Sequence, residues 1–119
     1  MAKQLQVVLT AGVKDAQRTR LGLEAALAAL AAGVDVSLFF TLDAADWACA
    51  TRTGGDADVY ELIEQLQALG AKLVCCARCA LALCGDAAAE WGGLASGIEA
   101  AGLTQLMERV ANGVPTVTF

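Results

Sequence analysis

A chain of 119 residues can build one hydrophobic core and not two, so residues 1–119 are read as one domain. Against 13 acidic residues stand only 8 basic ones, for a formal charge of −5, and no cationic run is available to neutralise phosphates, which argues against nucleic acid as a partner. The lack of any histidine excludes Ser-His-Asp and Cys-His catalysis, histidine zinc sites and the usual general base near neutral pH.

Leu5 to Thr10 (LQVVLT) is rich in Val and Leu and reads as a strand, after which Leu23, Ala26, Leu27, Leu30 and Ala31 fall on one helical face. Gly33 stands where a helix C-cap belongs, before the β-rich run Val34 to Thr41 (VDVSLFFT), so the opening is a βαβ unit. Thr51 to Asp56 (TRTGGD) punctuates the chain. Asp58 and Glu61 are then spaced as a capping box for a helix with Val59, Leu62, Ile63, Leu66 and Leu69 at helical spacing. Gly70 ends it, and Ala71 to Cys75 (AKLVC) is continuous and apolar, as a strand covered on both faces is, with Cys76 at its exit.

Cys76 to Leu83 reads as a short helix, and Gly85, Gly92, Gly93 and Gly97 as a mobile connection to a brief fourth strand at Ile98 to Ala100. Leu103, Leu106, Met107 and Val110 form a last amphipathic helix, ended by Gly113. Pro115 leads into a terminal strand, Thr116 to Phe119 (TVTF). The order helix, glycine, apolar strand thus recurs at Gly33, Gly70 and Gly113, which predicts an α/β fold with a mainly parallel sheet and helices on both sides.

Hydrophobic residues make up 57% of the chain and mean hydropathy is +0.56. A small domain has much surface to cover, so part of this excess is expected in a subunit interface. The longest uncharged runs, such as Ala25 to Val34, reach about half of the roughly 20 residues that cross a bilayer, and no membrane partner is expected. Lys3 is followed only by the short stretch Leu5 to Leu9, interrupted by Gln6, with no small-residue cleavage site, so the chain is expected to stay in the cytoplasm. In that reducing setting five cysteines, an odd number with three crowded at Cys75, Cys76 and Cys79, are expected to be thiols.

The opening VVLTAG followed by KDAQRTRLGLEAALAALAAGVDVSLFFT, the closing GIEAAGLTQLMERVANGVPTVTF and the intervening KLVCCARCA resemble the DsrE/DsrF-like family over nearly the whole chain. The resemblance implies a three-layer α/β/α sandwich with five strands and assembly into trimers or hexamers. It also implies, as in many members, a cysteine that carries persulfide sulfur between donor and acceptor proteins, which maps onto Cys76. Cys75, Cys79 and Cys84 are further sulfurs that many relatives lack, and some relatives lack the carrier cysteine itself.

The residues around Cys76 suit that chemistry. In parallel sheets, loops and helix N-termini converge beyond the carboxyl ends of the strands, here Ala11 to Asp15, Leu42 to Asp56 and the turn at Cys76. A sulfur carrier needs a thiolate, and a strand exit where a helix begins offers unpaired N–H groups and a positive dipole end, to which Arg78 adds a cation. Cys79, one helical turn on, lies on the same side and completes a CxxC pair able to resolve a persulfide or close a disulfide; as a cysteine facing the sheet it would be a small apolar residue.

The other candidates divide between chemistry and packing. Cys75 points to the opposite face from Cys76 and reads as core, and Cys84, five positions after Cys79, reads as packing. Cys49 is either a second thiol at the same sheet edge or a loop cysteine beside Trp47. Trp47 and Trp91 read as packing or interface residues. Asp15 is an N-terminal helix residue or a lone carboxylate near the site. No cofactor or metal is expected: phosphate-loop and dinucleotide glycine motifs are absent, and one CxxC supplies only half of a zinc site.

Two other functions compete. A thioredoxin-type thiol-disulfide redox protein would use Cys76 and Cys79, with Val114-Pro115-Thr116 imitating the proline that faces such a site, but the pattern shows no strand hairpin and final helix after Pro115. A non-catalytic oligomeric subunit would carry the same cysteines inert.

Overall fold

Alternation along the strands sorts the apolar residues onto two faces of one sheet, and the larger share of the core lies on one of them. The structure, a computed structural model, describes residues 3–52, 54–86 and 93–119. Its elements are β1 (Gln4–Leu9), α1 (Ala16–Ala31), β2 (Asp35–Phe40), α2 (Ala57–Ala68), β3 (Lys72–Cys76), α3 (Ala77–Cys84), β4 (Ile98–Ala101), α4 (Leu103–Ala111) and β5 (Thr116–Thr118). Short 3₁₀ segments, Val13–Asp15 and Leu42–Ala48, follow β1 and β2. The five strands form an all-parallel sheet in the order β4-β3-β2-β1-β5, the α/β architecture that the repeating pattern predicts. The glycines at 33, 70 and 113 that set this rhythm have φ of +83°, +95° and +87°, where a side chain would be strained.

On the first face Val7, Leu9, Leu38, Phe40, Leu73 and Cys75 pack against Leu23 and Ala26 of α1, Val59, Ile63 and Leu66 of α2, and Trp47. Each large side chain buried there contributes about 1.5 to 3 kcal/mol. The chain steps from β1 to β4 in one direction and then returns through α4 to place β5 beyond β1. Right-handed crossovers put a helix that travels the opposite way on the opposite face. There Val8, Phe39, Val74 and Cys76 lie under Leu106 of α4. One helix of nine residues serves this face, and a cleft remains beside it.

Several local expectations shift. Asp15 is the N-cap of α1, its side chain accepting from the Arg18 N–H at 3.4 Å, so it serves the helix. The cap of α2 is Asp56 and not Asp58: Asp56 has extended backbone, and its Oδ1 accepts from the Asp58 N–H at 2.8 Å. Arg20 of α1 reaches Asp56 at 2.7 Å and so ties the two helices at that end. Of the apolar positions on α4 only Leu106 meets the sheet, while Leu103, Met107 and Val110, spaced i, i+4 and i+7, are exposed. Within the glycine-marked connection residues 87–92, Trp91 and Gly92 among them, lie outside the described residues. Among the described residues no helix is long and apolar enough to cross a membrane.

The largest correction concerns the cysteines. Cys49 and Cys84 are joined by a disulfide, so neither is the thiol or the simple packing residue that spacing suggests. The segment Leu42–Ala48 folds against α3, and the chain around Cys49 pairs with residues 93–95: the Ala50 N–H donates to the Gly93 carbonyl at 2.9 Å, and the Ala95 N–H to the Ala48 carbonyl at 2.8 Å. That pairing sets Cys49 against the end of α3, a long-range contact that the sequence spacing does not reveal.

Candidate functional site

Register builds the site. Phe40 of β2 is paired with Cys75 of β3, so Thr41 and Cys76, the next residues along, leave the sheet side by side. Pleating sends Cys75 into the first face, where it is fully buried. Burial, helped by the neighbouring sulfurs of Cys76 and Cys79, pushes its thiol up to about 12. Cys75 is therefore protonated at neutral pH, in keeping with its reading as core.

Cys76 is the N-cap residue of α3 and a free cysteine. It is only 5% exposed, and this desolvation raises its pKa. Against it act the Cys79 N–H, the Cys79 thiol, the Arg78 N–H and the Thr41 hydroxyl, which together outweigh burial and hold the thiol below its ordinary value. No hydrogen bond from the cap side chain closes the helix start, so the amides act on the sulfur as aimed dipoles. Arg78 contributes its backbone N–H rather than its guanidinium, because its side chain is turned out to solvent.

Cys79, free and half-buried, is the second sulfur of the site. The Leu42 N–H donates to its Sγ at 3.2 Å, and the Thr41 Oγ1 lies 3.7 Å away. A chain of donors thus runs from the Leu42 amide through the Cys79 thiol to Cys76, each step polarising the next. Leu42 has φ of +52°, the single positive value at a non-glycine among the described residues, and its side chain is 62% exposed. That backbone costs about 1 kcal/mol or more, and it aims the amide at sulfur.

Two features hold this wall in place. A Cβ at Gly12 would lie 2.6 Å from the Asp43 carbonyl oxygen, so only glycine lets the exit of β1 approach the start of the 3₁₀ segment. Trp47, buried further along that segment, donates from Nε1 to the Ala11 carbonyl at 3.0 Å and to the Thr19 hydroxyl at 3.1 Å.

The structure brings Cys76 and Cys79 together, sets Cys75 on the opposite face of β3 from Cys76, and ties Cys49 and Cys84 to each other. Among the described residues no three Cys, Asp or Glu side chains gather as a metal-binding group. Thr41 and Leu42 complete the site although neither composition nor spacing marks them. The available signal is parallel register, which sets the exit of β2 beside that of β3. Chemically, the arrangement supports a nucleophilic thiolate with a second thiol adjacent and main-chain donors around both.

The family model described as DsrE/DsrF-like matches residues 3–119. No curated protein matches. Among solved structures, the ychN protein from E. coli superposes with a TM-score of 0.72 at 21% identity, over 100% of both chains. MTH1491 from Methanobacterium thermoautotrophicum gives 0.76 at 13% identity, again over 100% of both. BT1422 from Bacteroides thetaiotaomicron gives 0.70 at 18% identity, over 98% of this chain and 95% of that one. The last two are described as proteins of unknown function. At such identities the likeness is one of fold.

Proposed function

This chain belongs to the DsrE/DsrF-like family, and on that premise we propose that it is a sulfur carrier whose Cys76 accepts sulfane sulfur as a persulfide and passes it to a partner thiol. The observation that carries the reading is the placement of a free Cys76 as the N-cap residue of α3 with Cys79 one turn on, where the Cys79 and Arg78 amides, the Cys79 thiol and the Thr41 hydroxyl act to lower its pKa in spite of burial. The Cys76 thiolate attacks the outer sulfur of a donor persulfide, the donor thiolate departs, and Cys76 keeps the transferred sulfur. An acceptor thiolate then attacks that same sulfur and regenerates Cys76. Sulfane sulfur moves at constant oxidation level, so neither oxidant nor base is consumed, and the same donors stabilise the charged terminal sulfur. Cys79 either resolves the persulfide or supplies only its hydrogen bond.

The reading places the chain in the cytoplasm with donor and acceptor proteins as partners. The Cys49–Cys84 disulfide is buried, and burial limits attack on it by cellular thiols. The exposed stripe Leu103, Met107 and Val110 supports a homo-oligomer, for which family membership suggests a trimer or hexamer. Met107→Glu combined with Leu103→Glu is expected to lower the mass found by light scattering to that of one chain. A wild-type monomer at micromolar concentration would contradict the assembly.

The carrier role is tested by incubating the protein with inorganic polysulfide and weighing it intact. Wild type is expected to gain sulfur that a reductant removes, Cys76→Ser to gain essentially none, and Cys79→Ser to separate a dithiol from a single carrier. Equal loading of Cys76→Ser would remove Cys76 from the role. A reversible Cys76–Cys79 disulfide with no added sulfur would assign the pair to thiol-disulfide exchange instead.

A further inference from the structure

The second face of the sheet holds a cleft of about 290 Å³ between α4 and strands β1 to β4, and among the polar residues that line it one has a buried side-chain nitrogen without a partner. Three polar side chains are buried among the described residues. Thr19 is accounted for by the core, donating to the Ala11 carbonyl at 2.7 Å and accepting from Trp47. The other two, Gln6 at 3% and Ser37 at 8% exposure, both line the cleft, at positions on the same strand faces as apolar Val8 and Phe39. Gln6 donates from its amide nitrogen to the Thr116 hydroxyl at 3.0 Å, and among the described residues Ser37 makes no side-chain hydrogen bond.

Arg109 closes the same space. Its Nε is the one buried side-chain nitrogen or oxygen without a partner among the described residues, and a buried orphan of this kind costs about 1 to 3 kcal/mol. A cation in the last turn of α4 already suits the helix dipole when it points outward, so the dipole does not require this inward placement. Lys72, Glu99 and Glu108 also line the cleft, and none of the three is ion-paired among the described residues.

We propose that this cleft binds a small zwitterion of the α-amino acid type, with the carboxylate held by Arg109, Lys72 and the Ser37 hydroxyl and the ammonium by Glu99 and Glu108. Two cations and two carboxylates give the site no net charge, which disfavours a bare anion or a bare amine and fits a molecule that carries both. The volume, at the small end of ligand pockets, fits an amino acid or a short peptide. Val74 lines the cleft, and Cys76 follows on the same face of β3 roughly 7 Å further along, with Leu106 packed over both. The site stands independently of what Cys76 does.

Amide chemical-shift mapping with L-cysteine, inorganic sulfate and cysteamine as probes tests the proposal. L-cysteine is expected to shift the amides of Ser37, Val74 and Gln105 saturably at millimolar concentration, and sulfate and cysteamine to bind at least about tenfold more weakly. Arg109→Gln and Glu99→Gln should each weaken L-cysteine binding about tenfold or more. Ser37→Leu, which fills the cleft without altering charge, should abolish it. Cys76→Ser should bind as wild type does, so loss of the carrier reading would leave this result intact. Absence of saturable shifts, sulfate binding as tightly as L-cysteine, or unaltered binding in Ser37→Leu or Glu99→Gln would overturn the assignment, and the last two variants decide it even if Arg109→Gln does not fold.

Discussion

Replacing both members of the buried disulfide, as Cys49→Ser with Cys84→Ser, is expected to cost about 3 to 4 kcal/mol of stability. The bridge joins residues 35 apart, and closing a loop of that length removes much of the freedom of the unfolded chain. Urea unfolding of oxidised wild type and of the double variant measures the difference. A loss below about 1 kcal/mol would mean that the pairing of residues 48–50 with residues 93–95 holds this end of α3 without help from the bridge. Intact mass adds a direct check, since the oxidised chain is lighter by two hydrogens than its reduced form. The bridge joins the two walls of the thiol site, because Thr41 and Leu42 begin the 3₁₀ segment that leads to Cys49, and Cys76 and Cys79 begin the helix that ends at Cys84.

Iodoacetamide at pH 7 is expected to label Cys76 at least about tenfold faster than Cys75, although the two are adjacent in the chain. The alkylated species is the thiolate, and each pKa unit changes its fraction tenfold. Burial pushes Cys75 to about 12, whereas main-chain and side-chain donors hold Cys76 below its ordinary value, so at pH 7 a far larger fraction of Cys76 is thiolate. Lower access to Cys75, which is fully buried, widens the gap. Peptide mapping of partially labelled protein gives the ratio, and comparable labelling of the two would mean that they do not occupy opposite faces.

Much of this architecture is written locally. The strands read directly because Val7, Val8 and Leu9, or Leu38, Phe39 and Phe40, are buried on both faces of a parallel sheet and so form unbroken apolar runs. Gly33, Gly70 and Gly113 mark helix ends because only glycine takes their backbone conformation at little cost. Cys76 is legible as a strand-exit cysteine, and so is the proximity of Cys79, because both follow from one strand and one turn of helix.

What escapes is set by distance in sequence. The approach of Cys49 to Cys84 depends on the fold of the 3₁₀ segment and on pairing with residues beyond α3. Thr41 and Leu42 enter the site through register with a different strand, and Arg78 acts through an amide that no residue type announces. The inward face of α4 follows from the direction of its crossover, so the helical pattern of Leu103, Leu106, Met107 and Val110 cannot say which of them meets the sheet. Gln6 and Ser37 interrupt apolar strands, a visible signal whose meaning appears only when α4 lies over them.

The most direct test is the pH dependence of Cys76 alkylation, read by peptide mass spectrometry in wild type and in Thr41→Val. A depressed pKa means that reactivity rises with pH and levels off early: wild type should reach half its maximal rate at a lower pH than an unperturbed cysteine thiol in a short peptide measured alongside it, and loss of the Thr41 hydroxyl should move that midpoint upward. A wild-type midpoint at or above that of the peptide thiol would show that burial outweighs the surrounding donors and that Cys76 is not held as an anion.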